Sequence, residues 1–234
     1  MKVQNYFGLG ILLVSLLLVS VNFSVSVEAF SQKKFNEPLE KVTFIHYKDG
    51  KVKLDVNNPK AKVTTCYKLM GVKWKKFPIN IMINPEVNVN AILESTKEWD
   101  KYTSTTLFGS YSIDSSANFD ESPDGKNEYS YGNYPQSGVI AITNIWYTRT
   151  TKEIVEFDVL FDSDFIWGDA TTNPNVMDWQ NIATHETGHG LGLSDVYQSA
   201  CSEVTMYGYS WEGDIGKRTL EQADIIGLQK LYGA

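Results

Sequence analysis

A chain of 234 residues, 42% hydrophobic and 13% aromatic, can bury one core of ordinary size beside a leader or small extension, so wholesale disorder is excluded. Its net charge of −7 is uneven: residues 31–76 carry twelve lysines against four acids, and residues 77–234 carry eight lysines or arginines against 23 acids. The acidic body repels phosphate and the basic stretch lacks interleaved aromatics, which argues against nucleic acid as a partner. The basic segment is expected either to lie against its own acidic domain or to be solvated.

In chain order, residues 1–29 read as an export signal. Lys2 starts it, Phe7 to Val21 is apolar apart from Gly and Ser, and Val27-Glu28-Ala29 offers a small-residue cleavage site. The same run also fits an uncleaved membrane anchor, the one route to a membrane, because no other segment approaches the ~18 apolar residues of a spanning helix. The expected location is extracellular. Residues 30–71 form a basic extension, a propeptide or a β-hairpin. Lys41 to Tyr47 alternates as a strand, Lys48-Asp49-Gly50-Lys51 is a turn signal, and Val52 to Val56 alternates again. His46, in this hairpin with no ligand partner nearby in sequence, is assigned to the surface or to packing.

The main domain, residues 72–234, opens with a strand over residues 74–84, with Ile79, Ile81 and Ile83 on one face. A helix follows over residues 89–102, its apolar side marked by Ile92, Thr96 and Trp99. Residues 111–119 alternate as a strand, and residues 120–134, rich in Asp, Gly, Asn, Ser and Pro, read as a surface loop. Two more strands are expected at residues 138–143 and 154–161, then an irregular stretch at 162–175. Asp178 is the expected N-cap of the next helix, which Gly190 or Gly192 can end. Thr219 with Gln222 reads as the capping box of a last helix that buries Ala223, Ile226, Leu228 and Leu231.

His185-Glu186-Thr187-Gly188-His189 decides the chemistry, and it holds two of the chain's three histidines. Residues four apart share a helix face, so both imidazoles can meet one ion, with Glu186 placed to act on a metal-bound water. Catalytic zinc takes three protein ligands. Gly192 allows a sharp backbone turn after the helix, which brings Asp195 round as the third, through a carboxylate oxygen. Cys66 and Cys201 in an exported chain predict a disulfide, closing a loop long enough to stabilise by about 4 kcal/mol. The alternative is that Cys66 ligates the metal and holds the chain latent.

The pattern His185-Glu186-x-x-His189-x-x-Gly192-x-x-Asp195, with Met206 downstream, resembles the metzincin metalloproteases, and within them the matrixins. Gly138 to Thr143, Phe157 to Asp162 with Trp167, Met206-Tyr207 and Asp224 to Gly233 are similar to matrixin segments. The resemblance implies an α+β metzincin-like catalytic domain: a mixed, twisted β-sheet with three helices, an active-site helix and a Met-turn carrying Met206. It implies a protein or peptide substrate and zinc as cofactor, with Gly138, Val139, Ile140 and Ala141 as the strand that borders the cleft. Three departures accompany it, the first being that only His46 is spare for the second, structural zinc that matrixins commonly hold, so that site is expected to be absent. Most of the clan has His where this chain has Asp195, and no Pro-Arg-Cys-Gly type latency motif surrounds Cys66.

The reading is a secreted zinc endopeptidase in which Glu186 is the general base. Tyr207 and Tyr209 either line the specificity pocket or belong to the core. An extended peptide is expected to add a strand beside residues 138–143, and the chain is expected to be monomeric. The alternative is an exported, non-catalytic zinc-binding module for adhesion or assembly, against which the intact Glu186 argues. Calcium is a weaker candidate cofactor: Asp114, Asp120, Asp124, Asp158, Asp162, Asp164 and Asp169 crowd the irregular stretches without a defined calcium spacing.

Overall fold

The computed structural model describes residues 37–48 and 65–234. The export signal and the second half of the expected hairpin lie outside them. The strands are β1 (Leu39–Lys48), β2 (Lys68–Leu69), β3 (Ile79–Ile83), β4 (Phe108–Ile113), β5 (Glu128–Gly132), β6 (Val139–Thr148), β7 (Ile154–Asp162), β8 (Trp167–Gly168), β9 (Met177–Asp178), β10 (Leu193–Ser194) and β11 (Tyr209–Ser210). The helices are α1 (Val89–Asp100), α2 (Trp179–Gly190) and α3 (Gln222–Tyr232), with 3-10 turns at Ser199–Cys201 and Gly216–Arg218. Among the described residues no helix is long and apolar enough to cross a membrane.

Seven strands form one mixed sheet in the order β11-β1-β6-β7-β5-β3-β4. Strands β3, β4, β5 and β7 pair in parallel, whereas β6 runs antiparallel to both β7 and β1. Ile79, Ile81 and Ile83 are buried on one face of β3. Helix α1 packs with α2 against the sheet through Ile92 and Trp99, and Asn88 caps its start by accepting from Ala91 N. The Trp99 indole donates to Thr184 O in α2 at 2.9 Å, satisfying a buried polar handle. This is an α+β, mixed-sheet, three-helix domain.

Two expectations are corrected. Residues 120–134 are not all surface loop, because β5 runs through them as an inner strand between β3 and β7. Its polar Glu128 and Ser130 mask a strand that is buried on both faces. The last helix starts later than expected: Glu221 is the N-cap and Asp224 completes the capping box. Ile226, expected inside, is 38% exposed, while Asp224 and Gly227 take the buried positions. The first arm of the expected hairpin is β1, which pairs with β6 from Leu39↔Thr148 to Tyr47↔Val139 and with β11 at its far end.

Lysines of the basic segment do meet acids of the main domain, in Lys41–Glu121 at 3.1 Å, Lys48–Glu212 at 2.6 Å and Lys76–Glu153 at 3.3 Å. Exposed pairs of this kind contribute about 0–1 kcal/mol each. The covalent tether matters more. Cys66 and Cys201 form a disulfide across 135 residues of sequence, which removes Cys66 as a metal ligand. Replacing both cysteines by serine is expected to lower unfolding stability by about 2–5 kcal/mol in denaturant titration. An unchanged midpoint would show that the tether is dispensable.

Candidate metal centre

Helix α2 is buried along nearly its whole length. Asp178 caps it by accepting from Asn181 N at 2.9 Å, and its carboxylate also takes the Arg218 guanidinium. The Trp74 indole donates to Gly190 O at 2.8 Å at the other end. Gly188 sits mid-helix because a Cβ there would run into Met206 Sδ and, at 2.7 Å, the Trp99 ring. Met206 is fully buried directly beneath the helix. Gly192 has φ +99°, and a Cβ on it would lie 2.6 Å from Val72 O, so both backbone angle and space demand glycine.

The turn at Gly192 brings Asp195 to the two histidines. Asp195 Oδ1 is 3.1 Å from His185 Nε2 and 3.4 Å from His189 Nε2. Ligands about 2.0–2.1 Å from a tetrahedral ion are separated by about 3.3 Å, so the three atoms have the spacing of one face of a zinc site. All three atoms are buried and face only one another, with no further hydrogen-bond partner, which suits a metal-ligand set. The other donor on each side chain is engaged. His185 Nδ1–H donates to Thr205 O at 2.7 Å, and His189 Nδ1–H donates to Leu193 O at 2.9 Å, which leaves both Nε2 atoms as acceptors for a metal. Tyr197 OH donates to Asp195 Oδ2 at 3.0 Å, which orients Oδ1 toward the imidazoles.

The electrostatics match. Burial, helped by the Lys217 charge, lowers His185 to about 4 and keeps it neutral. Burial opposes the Asp195 carboxylate, but the facing histidines outweigh it and hold its pKa well below the usual range. For His189 burial is likewise outweighed, chiefly by Asp195, so its pKa is raised. Glu186, fully buried beside this set, is raised to about 7 by burial. Its Oε2 accepts from Thr143 Oγ1 at 2.6 Å and its Oε1 lies 2.9 Å from His46 Nδ1.

Sequence reasoning missed several of these supports. His46 is neither on the surface nor simply packed: it is 2% exposed and touches Glu186. Asp224 accepts from Thr205 N and Met206 N at 2.8 and 3.2 Å, so α3 holds the methionine turn whose carbonyl orients His185. Lys217, buried and lowered to about 8 by burial, donates to Tyr207 O, to Tyr209 O at 2.8 Å and to Ser210 Oγ at 2.8 Å. Tyr207 is a core aromatic, packed with Val196, Cys201 and Val204. Tyr209 is half-buried on β11 beside Tyr197 and Tyr207. Val139 and Ala141 of the expected cleft strand pair with Tyr47 and His46 of β1, which lies along that edge of β6.

A second acidic group lies elsewhere in the sheet. Asp120, Glu128 and Asp158 bring ligand atoms within 4.8 Å of one another, a set of hard oxygen donors suited to calcium. Asp114, Asp162, Asp164 and Asp169 do not join it.

The buried two-histidine helix, glycine turn and underlying methionine, set against a mixed sheet, define a metzincin-like domain. Residues 148–233 match the family model described as Matrixin. Stromelysin-1 of Rattus norvegicus is 40% identical over 77 residues, covering 32% of this chain and 15% of that protein. Matrilysin of Homo sapiens is 38% identical over 76 residues, 32% of this chain and 27% of that protein. Interstitial collagenase of Oryctolagus cuniculus is 40% identical over 77 residues, 32% of this chain and 14% of that protein. The match thus spans less than a third of each of these relatives. Over residues 148–233 the chain is thus similar to the matrixins.

Proposed function

We propose that the chain is a secreted zinc-dependent endopeptidase that hydrolyses peptide bonds of protein substrates. The observation that carries this reading is the trio of orphaned, buried ligand atoms on His185, His189 and Asp195 beside an equally buried Glu186. The three side chains would hold the zinc, which when bound polarises a carbonyl and acidifies water. Glu186 would accept the proton of the attacking water and pass it to the leaving amine; a pKa near neutrality suits both transfers. Thr143 orients the carboxylate by donating to Oε2, and His46 Nδ1 lies 2.9 Å from Oε1. Similarity to stromelysin, matrilysin and collagenase supports a protein or peptide as substrate. Retention of Glu186, which is not needed to hold metal, favours this reading over a non-catalytic binding module.

The purified protein, tested before and after limited proteolysis in its N-terminal region, is expected to bind about one zinc and to cleave a peptide library only while zinc is bound. Cleavage that persists in a chelator, with zinc shown to be gone, would sink the mechanism.

A further inference from the structure

Strand β1 shows how an extended segment lies at the metal centre. It runs antiparallel to β6 and parallel to β11. Alternation puts Phe44 and His46 on the face turned to the two ligand imidazoles. The Phe44 ring stacks on His189 with centroids 3.9 Å apart, and the His46 ring tilts over His185 with centroids 4.1 Å apart. A peptide in this register crosses the centre between those two side chains. The residue in the place of His46 then follows the bond that is cut, and its side chain passes Glu186.

The surroundings beyond Glu186 are polar. Lys217 Nζ lies 3.4 Å from His46 Nε2, and an ammonium can only donate, so the imidazole meets it as an acceptor. Lys217 is buried, and the other atoms it reaches are Tyr207 O, Tyr209 O and Ser210 Oγ. Its charge therefore has no carboxylate partner among the described residues. Burial lowers it to about 8, which leaves it protonated at pH 7. Asn181 stands one helical turn before His185 on the same face of α2. Its Oδ1 accepts from Lys217 N at 2.6 Å, which fixes Nδ2 as a donor, and that donor is buried without a partner. An apolar side chain entering here leaves both donors as they are, whereas an acceptor satisfies them.

We propose that Lys217 and Asn181 form a polar specificity pocket, which selects substrates with glutamate or glutamine just after the cleaved bond. The proposal deepens the endopeptidase reading above and rests on it. Glutamate and glutamine have the reach, because their acceptor oxygens lie as many bonds from Cα as the Nε2 of a histidine. Aspartate and asparagine fall one bond short. Lys217 and Asn181 act here on the choice of substrate and leave the chemistry to Glu186 and the metal.

The test gives matched quenched peptides, differing only in Glu, Gln or Leu after the cut, to the full chain before and after limited proteolysis in its N-terminal region. Cleavage position is read by mass spectrometry, hydrolysis as kcat/KM, and binding to the zinc-loaded protein by fluorescence anisotropy. The Glu and Gln peptides are expected to exceed the Leu peptide in kcat/KM by about tenfold or more, because leucine leaves the buried donors unpaired. Lys217→Met should erase or reverse that ratio at unchanged zinc, and a ratio within one preparation does not depend on the fraction folded. Asn181→Asp keeps an acceptor for Lys217 N but replaces the free donor by negative charge. It should cost the Glu peptide about tenfold more than the Gln peptide. Equal rates or a preference for leucine in the wild type overturns the pocket and leaves the endopeptidase reading standing. Unchanged selectivity in both variants overturns the assignment to Lys217 and Asn181. No hydrolysis of any peptide with zinc bound overturns the endopeptidase reading, and binding then decides the pocket alone: selective binding of the Glu and Gln peptides upholds it, and equal binding of all three overturns it.

Discussion

Glu186→Gln is expected to lower peptide hydrolysis about 10²–10⁴-fold while zinc content stays unchanged. The amide keeps the shape of the carboxylate and can still accept from Thr143, but it cannot take a proton from water. Because the side chain is fully buried and is not one of the three converging ligand atoms, the loss should appear in kcat with little change in KM. Zinc by atomic emission and steady-state kinetics on the same sample decide it. Retained activity would remove Glu186 as the base, and loss of zinc would make it part of the ligand set.

Asp158→Asn is expected to stabilise the protein in the presence of a chelator. Asp158 is fully buried opposite Glu128 in the β5–β7 ladder. No side chain completes either carboxylate by a hydrogen bond, and Lys126 approaches Glu128 only to 3.8 Å. Burial, then Glu156 and Glu128, push Asp158 up to about 9, and burial pushes Glu128 and Glu156 to about 7. The sign follows from proton counts: between the unfolded carboxyl range and pH 9 the folded state binds more protons, so stability falls as pH rises. Asparagine does not titrate. The variant should therefore match the wild type near pH 4 and exceed it at pH 7 by on the order of 2–4 kcal/mol, a little over 1 kcal/mol per pH unit crossed. Calcium at millimolar concentration should raise the wild-type melting temperature and erase the advantage, if these oxygens hold a hard cation. A variant that melts lower than wild type in chelator at pH 7 would mean that the Asp158 carboxylate has a stabilising partner.

The candidate metal ligands could be brought together from the sequence because their spacing carries geometry: a four-residue step on a helix, then a glycine whose φ of +99° turns the chain to Asp195. Strands with apolar alternation, such as Ile79 to Ile83, were equally plain. What escaped were residues whose meaning comes from partners far along the chain. His46 and Glu186 are 140 residues apart, and no local pattern joins them. Asp224 stood out only as the first residue of the Asp224 to Gly233 segment, and its burial beneath Thr205 and Met206 depends on how α3 returns to the site. Strand β5 hid behind Glu128 and Ser130, polar residues that a buried strand seldom carries. The cleft strand was correctly placed as a strand, but its neighbour could not be read without knowing where β1 goes.

Both imidazoles owe their orientation to main-chain carbonyls, those of Thr205 and Leu193, rather than to carboxylate side chains. A carbonyl survives the replacement of its own side chain. No single codon change at Thr205 or Leu193, short of one that reshapes the turn, deletes the acceptor that aims a ligand. Sequence drift around the centre is therefore buffered at these two positions, and constraint is concentrated instead on the residues that shape the turns, Gly192 and Asp224.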